Sequence, residues 1–292
     1  MRVEIAVHQS CVSSRRLFRA LLEHRLLGQV SFVDSSVNPE KVIREGAISI
    51  PWVSLRRKGI LTDPIDPEEV VQLIRGGRGG PLTLDQAISN FAAGVAASLV
   101  ALGTVMVHES FAPLSGGDFA QVASKMRWGQ PSFSAKELRE ALAGEEGKRL
   151  LDENRDHYVR SLAYNLARHA YWAGLPLRSA KKEVVGTWLL AAAGTGRVGL
   201  PYPVYVGNLA EEVVAVLEVK ADDYEDRLVQ EREELNADKG FASLFGNPSS
   251  RSGRREARAL ERGMPEDAVR LSAVGTHHLR PSRPIDALLS HT

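Results

Sequence analysis

The sequence predicts a mixed α/β unit over residues 1–75 followed by an all-helical unit of five or six helices. Three observations carry this. Short β-like runs alternate with helical patterns only before residue 75; GGRGGP at 76–81 packs four glycines and a proline into six positions; and helical periodicity with capping signals dominates afterwards. The expected units are residues 1–75, a Gly-rich linker at 76–81, a helical unit at 82–246 and a polar C-terminal arm at 247–292, mostly without stable structure.

RVEIAV, near the N-terminus, reads as a strand, and SSRRLFRALLEHRLL as an amphipathic helix with Leu17/Leu21 and Phe18/Leu22 at i, i+4, stopped by Gly28. QVSFVDS is a second strand, NPEKVIREGA a short helix opened by Asn38 and Pro39, and PWVSL with GILT two further strands around the turn-like RRKG. DPEEVVQLI closes the set, with Asp66 as N-cap, Pro67 at the first helical position and Glu68 and Glu69 facing the positive helix end. The order is βαβαββα. Beyond the linker, Thr83/Gln86 and Ser134/Glu137 have capping-box spacing. Helical patterns run from about Glu145 to Ala173, from about Ala180 to Gly194, and from Asn208 to about Asp238.

Length and composition are those of a globular chain: 292 residues, 43% hydrophobic and 25% charged. With 37 Lys plus Arg against 36 Asp plus Glu, no strong global field draws the protein to nucleic acid or to an anionic membrane. The uncharged run 86–107 is rich in Ala, Gly and Ser and lacks a flanking basic or aromatic belt, so a tightly packed buried helix is expected rather than a membrane span. Arg outnumbers Lys, 28 to 9, a bias that fits a hot habitat or a GC-rich genome equally well. The start lacks the apolar core of a signal peptide, and a cytoplasmic location is expected.

One cysteine, Cys11, excludes intrachain disulfides, Cys-rich zinc sites and cysteine-ligated clusters. It falls at the junction of the first strand and first helix, in CVSS. A thiol there meets the exposed amides of a helix N-terminus, with Arg15 and Arg16 one turn on, and both favour thiolate. Pro51 follows Cys11 by 40 residues and opens the third strand, where X-Pro is the bond that readily turns cis.

On these residues the first 75 positions resemble the thioredoxin-like fold, in its glutaredoxin and glutathione-transferase branch. The resemblance implies a reactive Cys in a C-x-x-S motif, Cys11 to Ser14, beside a cis-Pro at Pro51, and a helical domain behind it as in glutathione transferases. Without a second thiol it implies monothiol chemistry: Cys11 attacks a disulfide, an external low-molecular-weight thiol releases it, and Ser14 hydrogen-bonds the sulfur. The implied substrate is a protein disulfide or a small thiol, in a pocket between Cys11, Pro51 and the first helices of the second unit. Arg15, Trp52, Thr62 and Asp63 are the candidate substrate-binding residues. The aromatic and Pro flanks of the family's Cys and its Gly-Gly pair are absent here. The rival reading is a non-catalytic binding or assembly module that holds a protein or ribonucleoprotein through the helical unit or the Arg-bearing arm.

Weaker signals point to packing. Gly194, Gly196 and Gly199 spell G-x-G-x-x-G but lack a preceding strand, which suits an interhelical loop. Glu153 and His157 lie at i, i+4 with no second such unit, so no metal site is expected. Tyr164, His169, Tyr171 and Trp172 read as core and interface packing, with a ligand pocket between the units as the minority reading. Val214, Ala221, Leu228 and Leu235 form a seven-residue row that an ordinary amphipathic helix explains as well as a coiled coil. Residues 222–238 hold eight acids and the arm from Arg251 eight arginines against five acids, so the first is read as a solvated helix face and the second as an arm able to touch that face or RNA.

Overall fold

The computed structural model describes residues 2–177, 180–194 and 206–245. The glycine run from Gly196 to Gly199 and the C-terminal arm from 247, with any partner it holds, lie outside the described residues.

The first 75 residues form β1 (Val3–Val7), α1 (Val12–Glu23), β2 (Val30–Asp34), α2 (Pro39–Arg44), β3 (Trp52–Leu55), β4 (Lys58–Thr62) and α3 (Pro67–Ile74). The sheet order is β2-β1-β3-β4, with β1 parallel to β2, β3 antiparallel to β1, and β4 antiparallel to β3. Side chains alternate across this sheet as the pleat requires. Val3, Ile5, Val7, Val53 and Leu61 point to one face and pack with Leu17, Phe18 and Leu21 of α1 and Val70 and Val71 of α3. Ala6, Val33 and Trp52 point to the other, where α2 contributes Val42 and the later helices bury the rest. Asp66 caps α3 by accepting from the Glu68 amide at 3.0 Å.

After β5 (Pro81–Leu82) come α4 (Leu84–Ala97), α5 (Leu99–His108), α6 (Ala112–Ser115), α7 (Asp118–Ala123), β6 (Gln130–Pro131), α8 (Ala135–Ala143), α9 (Glu145–Trp172), α10 (Lys182–Gly194), α11 (Gly207–Ala237) and α12 (Lys239–Ala242). Both capping boxes form, Thr83–Gln86 on α4 and Ser134–Glu137 on α8. Such caps stabilise a helix by about 1 kcal/mol each. Nine helices follow the linker among the described residues, six of nine residues or more and three short ones.

One expectation changes, that of a single helix over 86–107, and the linker gains detail. The glycine-rich linker is held by its neighbours: Gly79 donates to the Trp128 carbonyl at 3.0 Å, the Gly80 carbonyl accepts from Gln130 at 2.9 Å, and β5 pairs in parallel with β6. The uncharged run 86–107 is two helices bent by 105°. Ser98 breaks it, because its extended backbone ends α4 while its hydroxyl caps the Ala101 amide at 3.2 Å and donates to the Ile48 carbonyl. No single helix among the described residues is long and apolar enough to cross a membrane.

The long helices lie along one another. α9 and α11 carry paired side chains at Arg155 and Glu212, Tyr164 and Tyr224, and Arg168 and Glu231, in the same chain direction. The seven-residue row of α11 packs within this chain: Ala221 and Leu228 sit in the helical core, whereas Leu235 reaches the core beneath the sheet. There α12 adds Phe241 against Phe18, ring centroids 5.8 Å apart.

Candidate functional site

A cleft of about 490 Å³ opens at the C-terminal end of β1. Its walls come from His8, Ser10 and Cys11, from the Ile48–Ile50 segment before β3, from residues 97–100 where α4 meets α5, and from α9. The α9 contribution is Asn165, Arg168, His169 and Trp172, at i, i+3, i+4 and i+7, which is one face of a helix.

Cys11 is the N-cap of α1, its sulfur accepting from the Ser14 amide at 3.4 Å. The thiol also reaches the Ile50 carbonyl at 3.5 Å as donor. Only 9% of the residue is exposed. Burial pushes its pKa up; hydrogen bonds from Ser14 and the positive charge of Arg168 pull the other way without prevailing. The sequence leads one to expect a thiolate favoured by the helix N-terminus, Arg15 and Arg16; burial works against it. The helix N-terminus is present, but desolvation of the charged form outweighs it. Ser14 is fully buried and its hydroxyl accepts from the His8 amide at 3.4 Å. The Ile50–Pro51 peptide bond is cis, as is Asp63–Pro64.

The other candidate residues do not line this cleft. Arg15 turns outward from the thiol to Glu234 at 3.0 Å and to Asp238 at 3.1 Å. Trp52 is 1% exposed and lies over β4; a Cβ on Gly59 would come within 2.1 Å of its ring, so its indole fills the space that glycine leaves. Thr62 donates to the Pro51 carbonyl at 3.2 Å. Asp63 accepts from the Ser13 hydroxyl at 3.2 Å, and burial raises its pKa. Thr62 and Asp63 thus brace the strand start and the first turn of α1 from behind. Tyr164 turns to Glu231, whose carboxylate accepts its hydroxyl at 2.5 Å; His169 and Trp172 line the cleft, and Trp172 also packs against the core beneath the sheet. Glu153 is held by Arg149 at 2.7 Å, and no group of three or more metal-ligating side chains occurs among the described residues.

Arg168, which the sequence did not single out, sets the electrostatics. Its guanidinium donates to the Ser10 carbonyl, and its Nε lies 3.9 Å from Glu231. Among the described residues it is the only Lys, Arg, Asp or Glu that lines the cleft. The pKa of His8 is lowered, first by burial and then by Arg168, against the opposing pull of Asp34. The pKa of His169 is lowered by burial, Arg168 and His8. Both imidazoles are therefore neutral at pH 7. His8 Nδ1 accepts the Ser10 amide at 3.2 Å, which places the ring proton of the neutral form on Nε2. The indole Nε1 of Trp172 is buried without a partner among the described residues.

The carbonyl end of α4 and the amide end of α5 meet at the same wall, so their dipoles oppose each other there. No family model matches this sequence, and neither a curated protein nor a solved structure matches it.

Proposed function

We propose that the chain is a thioredoxin-like protein on the general plan of glutathione transferases, whose cleft binds a small anionic ligand non-covalently. The βαβαββα order, Cys11 at the first strand-to-helix junction and the helical wall facing it support the fold reading. One observation carries the binding reading: among the described residues a single cation, Arg168, and no carboxylate line the cleft, and both imidazoles there are uncharged. An anion entering there pairs with a partly buried guanidinium at reduced dielectric. Asn165, His8, His169 and Trp172 line the cleft beside it and add no charge of their own.

Calorimetric titration with butyrate and with glutathione, on the full chain and on Arg168→Met, tests this. A charge-assisted hydrogen bond is worth about 1.5–3 kcal/mol, so saturable binding should weaken roughly 10- to 100-fold in the variant. Equal affinities in the two proteins would overturn the reading.

A second reading, monothiol exchange, is favoured by the position of the Cys11 sulfur, which lines the cleft at the N-terminus of a twelve-residue helix. In that step the Cys11 thiol loses its proton to solvent, attacks one sulfur of a disulfide and forms a mixed disulfide, while the other sulfur leaves as a thiolate; an external thiol then regenerates Cys11. Incubation with glutathione disulfide at pH 8 followed by intact mass measurement separates the readings. Rapid addition of one glutathione supports exchange; addition no faster than to an unfolded thiol supports non-covalent binding.

A further inference from the structure

We infer that the ligand is an amphiphile, with its anionic group at Arg168 and an apolar chain that runs over the Ile48–Ile50 segment into a second groove. This rests on the anion-binding reading and extends it. A groove of about 460 Å³ adjoins the cleft, and Ile48, Ser49, Ile50 and Val100 line both. The second groove continues over Val42 and Ile43 of α2 to Leu114 and Phe119. Its only charged lining residue, Asp118, is already engaged by the guanidinium of Arg127. Ile43 is 51% exposed, so apolar surface stands open to a ligand rather than closed into the core.

The shared wall is held in place from the cleft side. Ser98 donates to the Ile48 carbonyl and Cys11 to the Ile50 carbonyl, which occupies both carbonyls, and Ile48 and Ile50, both partly buried, line the two spaces alike. A compact polar metabolite would use the cation and leave the second groove empty. A ligand with a charged end and a hydrocarbon body uses both, and burial of each methylene strengthens binding by about fourfold.

The test is calorimetric titration of the full chain with straight-chain carboxylates from butyrate to decanoate and with the matching 1-alkanols. Affinity for the carboxylates should rise about fourfold per methylene before levelling off. Arg168→Met should lower the affinity for every carboxylate and spare the alkanols. Ile43→Asp, at an exposed position, should flatten the chain-length series while leaving butyrate unchanged. Butyrate binding that depends on Arg168 with no gain for longer chains would overturn the amphiphile and leave the anion site standing. An unchanged chain-length series in Ile43→Asp would overturn the route through the second groove. Carboxylate affinities that ignore Arg168→Met would overturn both.

Discussion

The helix α1 meets buried polar groups on two sides, and the two sides are built to opposite rules. On its outer flank Arg15 and Arg19 clasp Asp238, which is 1% exposed, with nitrogen–oxygen distances of 3.1 and 2.5 Å. The other carboxylate oxygen of Asp238 caps α12 by accepting from the Phe241 amide at 3.0 Å, and Arg15 also reaches Glu234. Every charge there has partners, and the seam ties the end of α11 to the sheet unit. At the N-terminal end of the same helix the cleft holds a cation whose nearest carboxylate is 3.9 Å away, two neutral imidazoles, and an indole N–H with no partner among the described residues. A saturated network holds a fold together, whereas an unsaturated one at the wall of a cleft leaves hydrogen-bonding capacity for a ligand.

Breaking the seam should give the largest effect. Asp238→Ala leaves two partly exposed guanidiniums without their shared carboxylate and α12 uncapped, and losing charged hydrogen bonds together with a helix cap costs about 2–3 kcal/mol. Urea denaturation followed by circular dichroism should show that loss, with the transition of Arg168→Met displaced by far less. A cost for Asp238→Ala no greater than that of a surface pair, under about 1 kcal/mol, would mean that the seam does not hold the C-terminal helices to the sheet.

Much of the mixed α/β part was legible because its determinants are local. Asp66, Thr83/Gln86 and Ser134/Glu137 cap the helices their spacing predicts, and the two-residue alternation of β1 sorts its side chains between the two cores. The break at Ser98 was hidden, because apolar residues continue on both sides and a carbonyl fifty residues upstream accepts from its hydroxyl. Arg168 was missed for a similar reason: it sits 157 residues from Cys11 on a helix whose exposed side looks merely polar. The usable signal was the spacing of Asn165, Arg168, His169 and Trp172, a polar and aromatic stripe on one helical face. Arg15 was misread because proximity along the chain suggested the thiol, while Asp238, far away in sequence, offered a buried counter-charge.

Two pH experiments sharpen the contrast at the cleft, both with smaller effects. Cys11 keeps its proton in the folded state more tightly than in the unfolded chain, because burial raises its pKa. Its contribution to stability is therefore complete below the unfolded thiol pKa and lost as pH rises through the folded one. Iodoacetamide should alkylate native protein more slowly than urea-unfolded protein across pH 8–9; faster native alkylation would return Cys11 to the role of nucleophile. For His8 and His169 the sign reverses. Their lowered pKa values mean that the unfolded chain takes up protons first, so their contribution is complete above the ordinary value of 6.5 and is lost as pH falls through the lower folded values. In His8→Gln/His169→Gln the urea midpoint should fall less between pH 7 and pH 5 than in the parent. An unchanged slope would place that acid sensitivity elsewhere.

The smallest effect concerns a buried polar group that belongs to neither region. The Tyr158 hydroxyl is buried without a partner among the described residues, and burial pushes its pKa up to about 12. Its ring stands edge-on to Phe111, centroids 6.3 Å apart, inside the helical core and away from the cleft lining. Lack of a partner alone thus does not make a site; Trp172 belongs to the cleft lining beside Arg168, whereas Tyr158 does not. Tyr158→Phe removes a desolvated hydroxyl and keeps the ring, so it should leave the urea midpoint unchanged or raise stability by up to about 1 kcal/mol. A loss greater than that would reveal a hydrogen bond held by this hydroxyl, and the unpartnered Trp172 indole would then weigh less as a mark of the cleft.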